Sequence, residues 1–168
     1  MIPQIERRFA EIVPRVDFCS LRFVRERAEQ IRVRQDVVQP VVSGESAGAM
    51  LTVCDGGGMG YAATSDLTVA GLQRAVQQAL DWAQRTAGHS VVDHARIPRT
   101  PPHGEYRTPV QQPWNSLSLT NKVDLLRREC ARLKVSDRIA DWETSLWHNE
   151  VETLFLTTGG GRVYQMIH

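Results

Sequence analysis

Two stretches in the first half of this chain carry apolar residues at clear helical spacing. The first is short: Ile5, Phe9, Ile12 and Val13 fall on one face between Pro3 and Pro14, the pattern of an amphipathic opening helix. The second is longer, with Val69, Leu72, Val76, Leu80 and Ala83 recurring at three and four after Ser65-Asp66-Leu67-Thr68, whose oxygens can cap a helix start. Gly88 follows its end. Gly71 stands where a capping box from Thr68 would have Glu, so a weakened cap is expected. Between these helices the period changes to two. Cys19, Leu21 and Phe23 alternate with polar neighbours in Asp17–Arg25, as do Ile31 and Val33 in Gln30–Arg34, predicting two half-buried strands with Glu26–Glu29 as their turn. A further hairpin is predicted where Met50–Cys54 and Met59–Thr64 flank Asp55-Gly56-Gly57-Gly58, because glycines supply the positive φ of a tight turn.

Between Gly88 and Ser116 periodicity fades and five of the eight prolines gather, which predicts an extended connector. Beyond it, Leu119, Val123, Leu126, Cys130 and Leu133 mark a third helix starting near Ser118 or Thr120. Strand-like runs follow at about Arg138–Trp147 and Val151–Thr157, then a Gly159-Gly160-Gly161 turn and a last strand at Arg162–Ile167. The expected organisation is a lobe over residues 1–88, a connector over 89–117, and a second helix-and-strand lobe over 118–168 that breaks off mid-sheet and belongs to the same domain. The fold class is α+β: a largely antiparallel, twisted sheet with two or three helices packed on one face. The resemblance of Leu51–Thr64 to Thr153–Met166 suggests a diverged α-β-β duplication.

With 42% hydrophobic and 23% charged residues in 168, the chain has the composition of an ordered domain. A formal charge of +1 supplies no global field for nucleic acid or anionic lipid. Met1–Phe9 lacks the apolar core of a signal peptide, and no apolar run reaches membrane-spanning length, which predicts a cytoplasmic protein. Cys19, Cys54 and Cys130 are odd in number and widely spaced, so they read as small buried hydrophobes rather than disulfides or zinc ligands.

Candidate chemistry is sparse. Gly44-Glu45-Ser46-Ala47-Gly48 satisfies G-x-S-x-G, but a nucleophile elbow needs a helix after the serine, and Ala49–Cys54 leads into a glycine turn instead. A serine hydrolase built on Ser46 is therefore a minor alternative. Gly56, Gly58 and Gly60 invite a nucleotide-loop reading, yet a strand follows where a phosphate site needs a helix N-terminus. His89, Asp93, His94, His103 and Glu105 cluster in the connector without metal-ligand spacing, and neither His148 nor His168 belongs to a metal motif. Arg22, Arg25, Arg27, Arg32 and Arg34 could line one hairpin face as a free-standing binding module, but Glu26, Glu29 and Asp36 lie among them and interleaved aromatics are missing. These readings leave no catalytic residue and no metal ligand in the chain.

The segment Glu45–Ala83 resembles the N-terminal region of TldD/PmbA proteins, zinc metallopeptidases also labelled modulators of DNA gyrase. The likeness rests on Gly60-Tyr61-Ala62-Ala63-Thr64-Ser65-Asp66-Leu67 and on Leu72–Leu80, which match a "G-[YF]-A-x-T-x-D-L" strand exit and an "L-x-x-A-V-x-x-A-L" helix. Gly60, Tyr61, Ala62, Thr64, Asp66 and Leu67 thus carry the family match as structural positions. The resemblance implies a longer parent protein that is a zinc metallopeptidase or its non-catalytic partner subunit; the family's zinc site, a His-Glu-x-x-x-His helix plus a cysteine, lies in a C-terminal domain. It also implies pairing with a homologous subunit, proteolysis of unfolded or precursor peptides, and for this segment a supporting role without membrane or direct nucleic-acid contact.

Overall fold

A computed structural model describes residues 1–168. Its elements run α1 (Ile2–Ile12), β1 (Phe18–Arg34), β2 (Val37–Val38), β3 (Val42–Asp55), β4 (Gly58–Thr64), α2 (Val69–Thr86), β5 (His103–Arg107), α3 (Leu119–Leu133), β6 (Glu143–Thr157) and β7 (Arg162–Ile167). Short 3-10 turns at His94–Arg96 and Trp114–Ser116 flank β5 in sequence. The seven strands form one mostly antiparallel sheet in the order β4-β3-β1-β6-β7-β5, with β2 paired to β1. This is the expected α+β class.

Two compact units share the chain: Met1–Arg25, Ala47–Arg107 and Glu152–Met166 form the first, and Glu26–Ser46, Thr108–Val151 and Ile167–His168 the second. β1, β3 and β6 each contribute one part to each unit. In the first unit, Ile5, Phe9 and Ile12 of α1 and Leu72, Val76, Ala79 and Ala83 of α2 close a core with Leu21, Phe23, Leu51, Val53 and Leu154 of the sheet. In the second, α3 presents Leu126 and Cys130 to Ile31 and Val33 of β1, with Val123, Trp142 and Leu146 around them. No helix is long and apolar enough to cross a membrane.

All three cysteines are free and buried. Burial, with Cys54 nearby, pushes the Cys19 thiol up to about 12, so it stays protonated and inert as a small hydrophobe would.

The sequence reading places a turn at Glu26–Glu29 where none forms, for β1 runs unbroken through 17 residues. The run of charges looks like a turn only until its partners are seen. Arg27 Nε meets Glu45 Oε2 of β3 at 2.9 Å and Arg27 Nη1 meets Glu150 Oε1 of β6 at 3.3 Å, so these polar positions are cross-strand pairs inside a ladder. The reversal comes later, at Gln35 and Asp36, whose φ of 50° and 62° suit a tight hairpin turn, with Val33 opposite Val38. β6 is likewise one strand of 15 residues rather than two, starting five residues later than expected. β5, hidden in the proline-rich stretch, pairs in parallel with β7, so the final strand is interior and not the open edge its position in the chain suggests.

Both glycine hairpins form. Asp55 opposes Gly58 across Gly56 and Gly57, with φ of 55° and 83°, while Gly159 and Gly160 have φ of 90° and 89°. Gly58 and Gly60 serve a different need. A Cβ on Gly60 would come within 2.1 Å of Ala79 O and 2.6 Å of Ala83 N, so α2 lies almost directly on β4. Gly60→Ala is therefore expected to force α2 outward and to lower stability by about 1–3 kcal/mol, the usual cost of overpacking. Gly44→Ala, with open space around its added methyl, should stay within about 0.5 kcal/mol of the parent; urea unfolding of the two variants tests the contrast.

Candidate functional site

The family-like octapeptide turns out to be a helix-launching device. Gly60 lies under α2, Ala62 is buried in the core and Tyr61 points outward, 65% exposed. Thr64 Oγ1 accepts the amide of Asp66 at 3.0 Å. Asp66 Oδ1 then accepts both the amide and the hydroxyl of Thr68, at 3.1 and 2.7 Å, and Arg74 Nη2 reaches Asp66 Oδ2 at 2.7 Å. Thr68 in turn caps α2 by accepting the Gly71 amide at 3.1 Å. The cap forms without Glu at position 71, and glycine is required there because a Cβ would strike Asp66 at 2.3 Å. Leu67 packs on the core, and its carbonyl accepts from Arg8 Nη1 of α1 at 2.6 Å.

The sequence-predicted candidates for chemistry do not assemble. Ser46 lies inside β3, exposed, with more strand on either side, so the elbow that would activate it is not formed and the hydrolase alternative loses its geometry. The Gly56–Gly60 run turns a hairpin into β4. In the connector, Asp93 caps the turn at His94–Arg96 and pairs with Arg96 at 3.1 Å, while Glu105 pairs with Arg107 at 2.9 Å; the histidines there do not converge with them. The arginines of β1 are met one by one. Arg25 lies 2.7 Å from Glu152, Arg32 3.7 Å from Glu143 and Arg34 2.7 Å from Asp141, while Arg22 lies over the Phe155 ring. A free basic stripe is not what this strand presents.

Two features present themselves instead. The first is a groove of about 830 Å³ within the second unit, lined by Arg27, Glu45, Trp114, His148, Glu150 and His168 among others. His148 and Glu150 share one face of β6 because they are two apart in a strand, and His168 follows the end of β7. Ligand-capable atoms of the three lie within 4.8 Å of one another. Trp114 stacks on His148 with centroids 5.0 Å apart, and its Nε1 donates to Glu29 Oε1 at 2.9 Å. Lys122 Nζ stands 3.6 Å over the same indole. His148 and Glu150 fall between the two strand runs expected from the sequence, so their shared face appears only once β6 is continuous, and nothing in the sequence brings His168 to them.

The second is the free edge of β5 in the first unit. All five of its residues are exposed, and only β7 pairs with it. The Arg162 amide donates to Pro102 O at 2.7 Å, so strand alternation turns the backbone of Gly104 and Tyr106 toward β7 and that of His103, Glu105 and Arg107 to the open side. Beside it lies a charged pocket where Tyr164 donates to Glu152 at 3.0 Å and Arg107 covers the Tyr164 ring at 4.7 Å. Burial first, and then the bond to Glu152, hold the Tyr164 hydroxyl above its usual pKa.

Residues 19–83 match the family model described as PmbA/TldA metallopeptidase domain 1. No curated protein sequence matches the chain. Among solved structures, a Thermotoga maritima protein described as a modulator of a DNA gyrase aligns over 99% of this chain and 37% of its own, at 15% identity and a TM-score of 0.72. TldE from Thermococcus kodakarensis aligns over 99% and 36%, at 16% identity and 0.70. A Bacteroides thetaiotaomicron protein described as a modulator of DNA gyrase aligns over 98% and 37%, at 14% identity and 0.70. This chain spans little more than a third of the length of each.

Because the bonds from Thr68, followed by Arg74, hold Asp66 below the usual carboxylate range, its contribution is present above the unfolded pKa of about 4 and is lost as pH falls through the folded value. Asp66→Asn should lower Tm at neutral pH, and that difference should vanish in acid; paired thermal melts across the range provide the check. Over residues 19–83 the chain is thus similar in sequence to the first domain of PmbA/TldA metallopeptidases, and over nearly its whole length it shares the fold of the solved structures named above.

Proposed function

We propose that this chain is the non-catalytic N-terminal domain of a cytoplasmic TldD/PmbA-type metalloprotease, and that it receives extended peptide substrates by strand addition to β5. The observation that carries the reading is the open edge of β5, exposed throughout and presenting the backbone of His103, Glu105 and Arg107. An unpaired row of amides and carbonyls recognises any unfolded peptide through its main chain, which suits proteolysis of unfolded or precursor peptides. The alternating charges of Glu105 and Arg107 oppose indiscriminate edge-to-edge aggregation while leaving the backbone accessible. The sites that would do chemistry on the peptide, zinc included, are assigned to the remainder of the longer protein, since Ser46 has no activating frame. Pairing with a homologous subunit belongs to the same reading, for an open edge can also accept a neighbouring strand.

Glu105→Pro in the full-length protein tests this directly. Proline there removes an outward amide while leaving the bonds to β7, so KM for an unstructured peptide should rise roughly two- to tenfold, the factor equivalent to about one net hydrogen bond, with Tm little changed. Gly104→Pro, which removes an inward amide, should lower Tm instead. Unchanged peptide cleavage by Glu105→Pro would overturn substrate docking at β5, and loss of subunit assembly with unchanged cleavage per subunit would reassign the edge to pairing.

A further inference from the structure

The groove of the second unit holds a cluster whose chemistry differs from simple ion pairing. His148, Glu150 and His168 bring two imidazoles and one carboxylate together, with ligand atoms within 4.8 Å of one another and His168 Nδ1 3.8 Å from Glu150 Oε2. A tetrahedral ion with ligand bonds near 2.0–2.2 Å needs donors about 3.4 Å apart, so modest side-chain rotation closes the set. The two imidazole rings are already stacked with centroids 5.8 Å apart, 22° from parallel.

The surroundings hold these side chains in place. Trp114 stacks on His148 only 8° from parallel and is itself tethered through its Nε1 to Glu29. Arg27 engages Glu150 through Oε1, which leaves Oε2 turned to His168. The His168 amide donates to Thr108 Oγ1 at 3.3 Å, anchoring the residue's backbone. Outer partners of this kind fix the orientation of metal ligands and reduce the entropy lost on binding. Arg27 also bridges to Glu45 at 2.9 Å, so its positive charge is shared between two carboxylates rather than directed wholly at an incoming cation. The groove leaves the side facing solvent open, where a fourth position can take water or a carbonyl oxygen.

We propose that His148, Glu150 and His168 form a binding site for one divalent transition-metal ion of the zinc class, with a fourth coordination position open to the groove. Two imidazoles and a carboxylate favour such an ion over calcium or magnesium, which prefer all-oxygen sets. The site stands independently of peptide docking at β5, since the residues, the unit and the readout are all different.

The test is titration of the tag-free chain with zinc chloride in a non-chelating buffer, at a pH above the imidazole range of about 6.5. One zinc per chain should bind, and cobalt(II) in its place should give the intense visible bands of a tetrahedral site. Glu150→Gln and His168→Ala should each weaken binding by at least about 100-fold, the upper end of what losing an outer-shell partner alone costs. Their metal-free Tm should stay near that of the parent. His94→Ala with His103→Ala should leave binding unchanged. Absence of stoichiometric zinc uptake, or uptake that survives the double change at Glu150 and His168, would overturn the site; so would binding that follows His94 and His103.

Discussion

The seating of α2 on β4 is the constraint on which the first unit depends. At Gly58 and Gly60 a side chain as small as methyl would collide with the backbone of Ala83, Ala87 and Ala79, so helix and strand meet without intervening side chains at those points. That approach brings Leu72, Val76 and Ala79 against the interior face of the sheet, where Leu51, Val53 and Ala62 lie. It also fixes where the helix must begin, and the chain answers with Thr64, Asp66 and Thr68, which convert the end of β4 into a capped start within four residues. The family-like octapeptide over these positions thus serves packing and turning.

How much of this was legible depends on how local the cause is. α2, its cap, the β3–β4 hairpin and the three buried cysteines follow from spacing and from glycine and capping chemistry, all readable within a few residues. The unbroken β1 was not, because Glu26, Arg27 and Glu29 look like a solvated turn until strands more than a dozen residues away supply Glu45 and Glu150. β5 was hidden for a similar reason: five exposed residues have no apolar alternation, and only the distant β7 makes them a strand. The groove cluster is the extreme case. His148 and Glu150 lie between the two expected strand runs and share a face only because β6 is unbroken, and His168 joins them through the path of β7, which no local pattern encodes.

Electrostatics across the second unit follow one rule. Each arginine in the outer half of β1 has a carboxylate partner: Arg27 with Glu45 and Glu150, Arg32 with Glu143, Arg34 with Asp141. Most of these pairs are substantially exposed, so each adds little stability by itself. Their larger effect is on register, because a shift of one residue would turn every arginine to the opposite face, away from its carboxylate.

The position of β1 between β3 and β6 bears on how the protein is made. Cys19 and Thr158 exchange hydrogen bonds across 139 residues of sequence, so β1 acquires its second neighbour only after that intervening length has left the ribosome. At the pace of synthesis, about 5–20 residues per second, the apolar strand carrying Leu21, Phe23, Ile31 and Val33 waits several seconds with one side unpaired. The nascent protein is accordingly most exposed to mispairing and to holding chaperones during the interval that separates its first strand from its sixth.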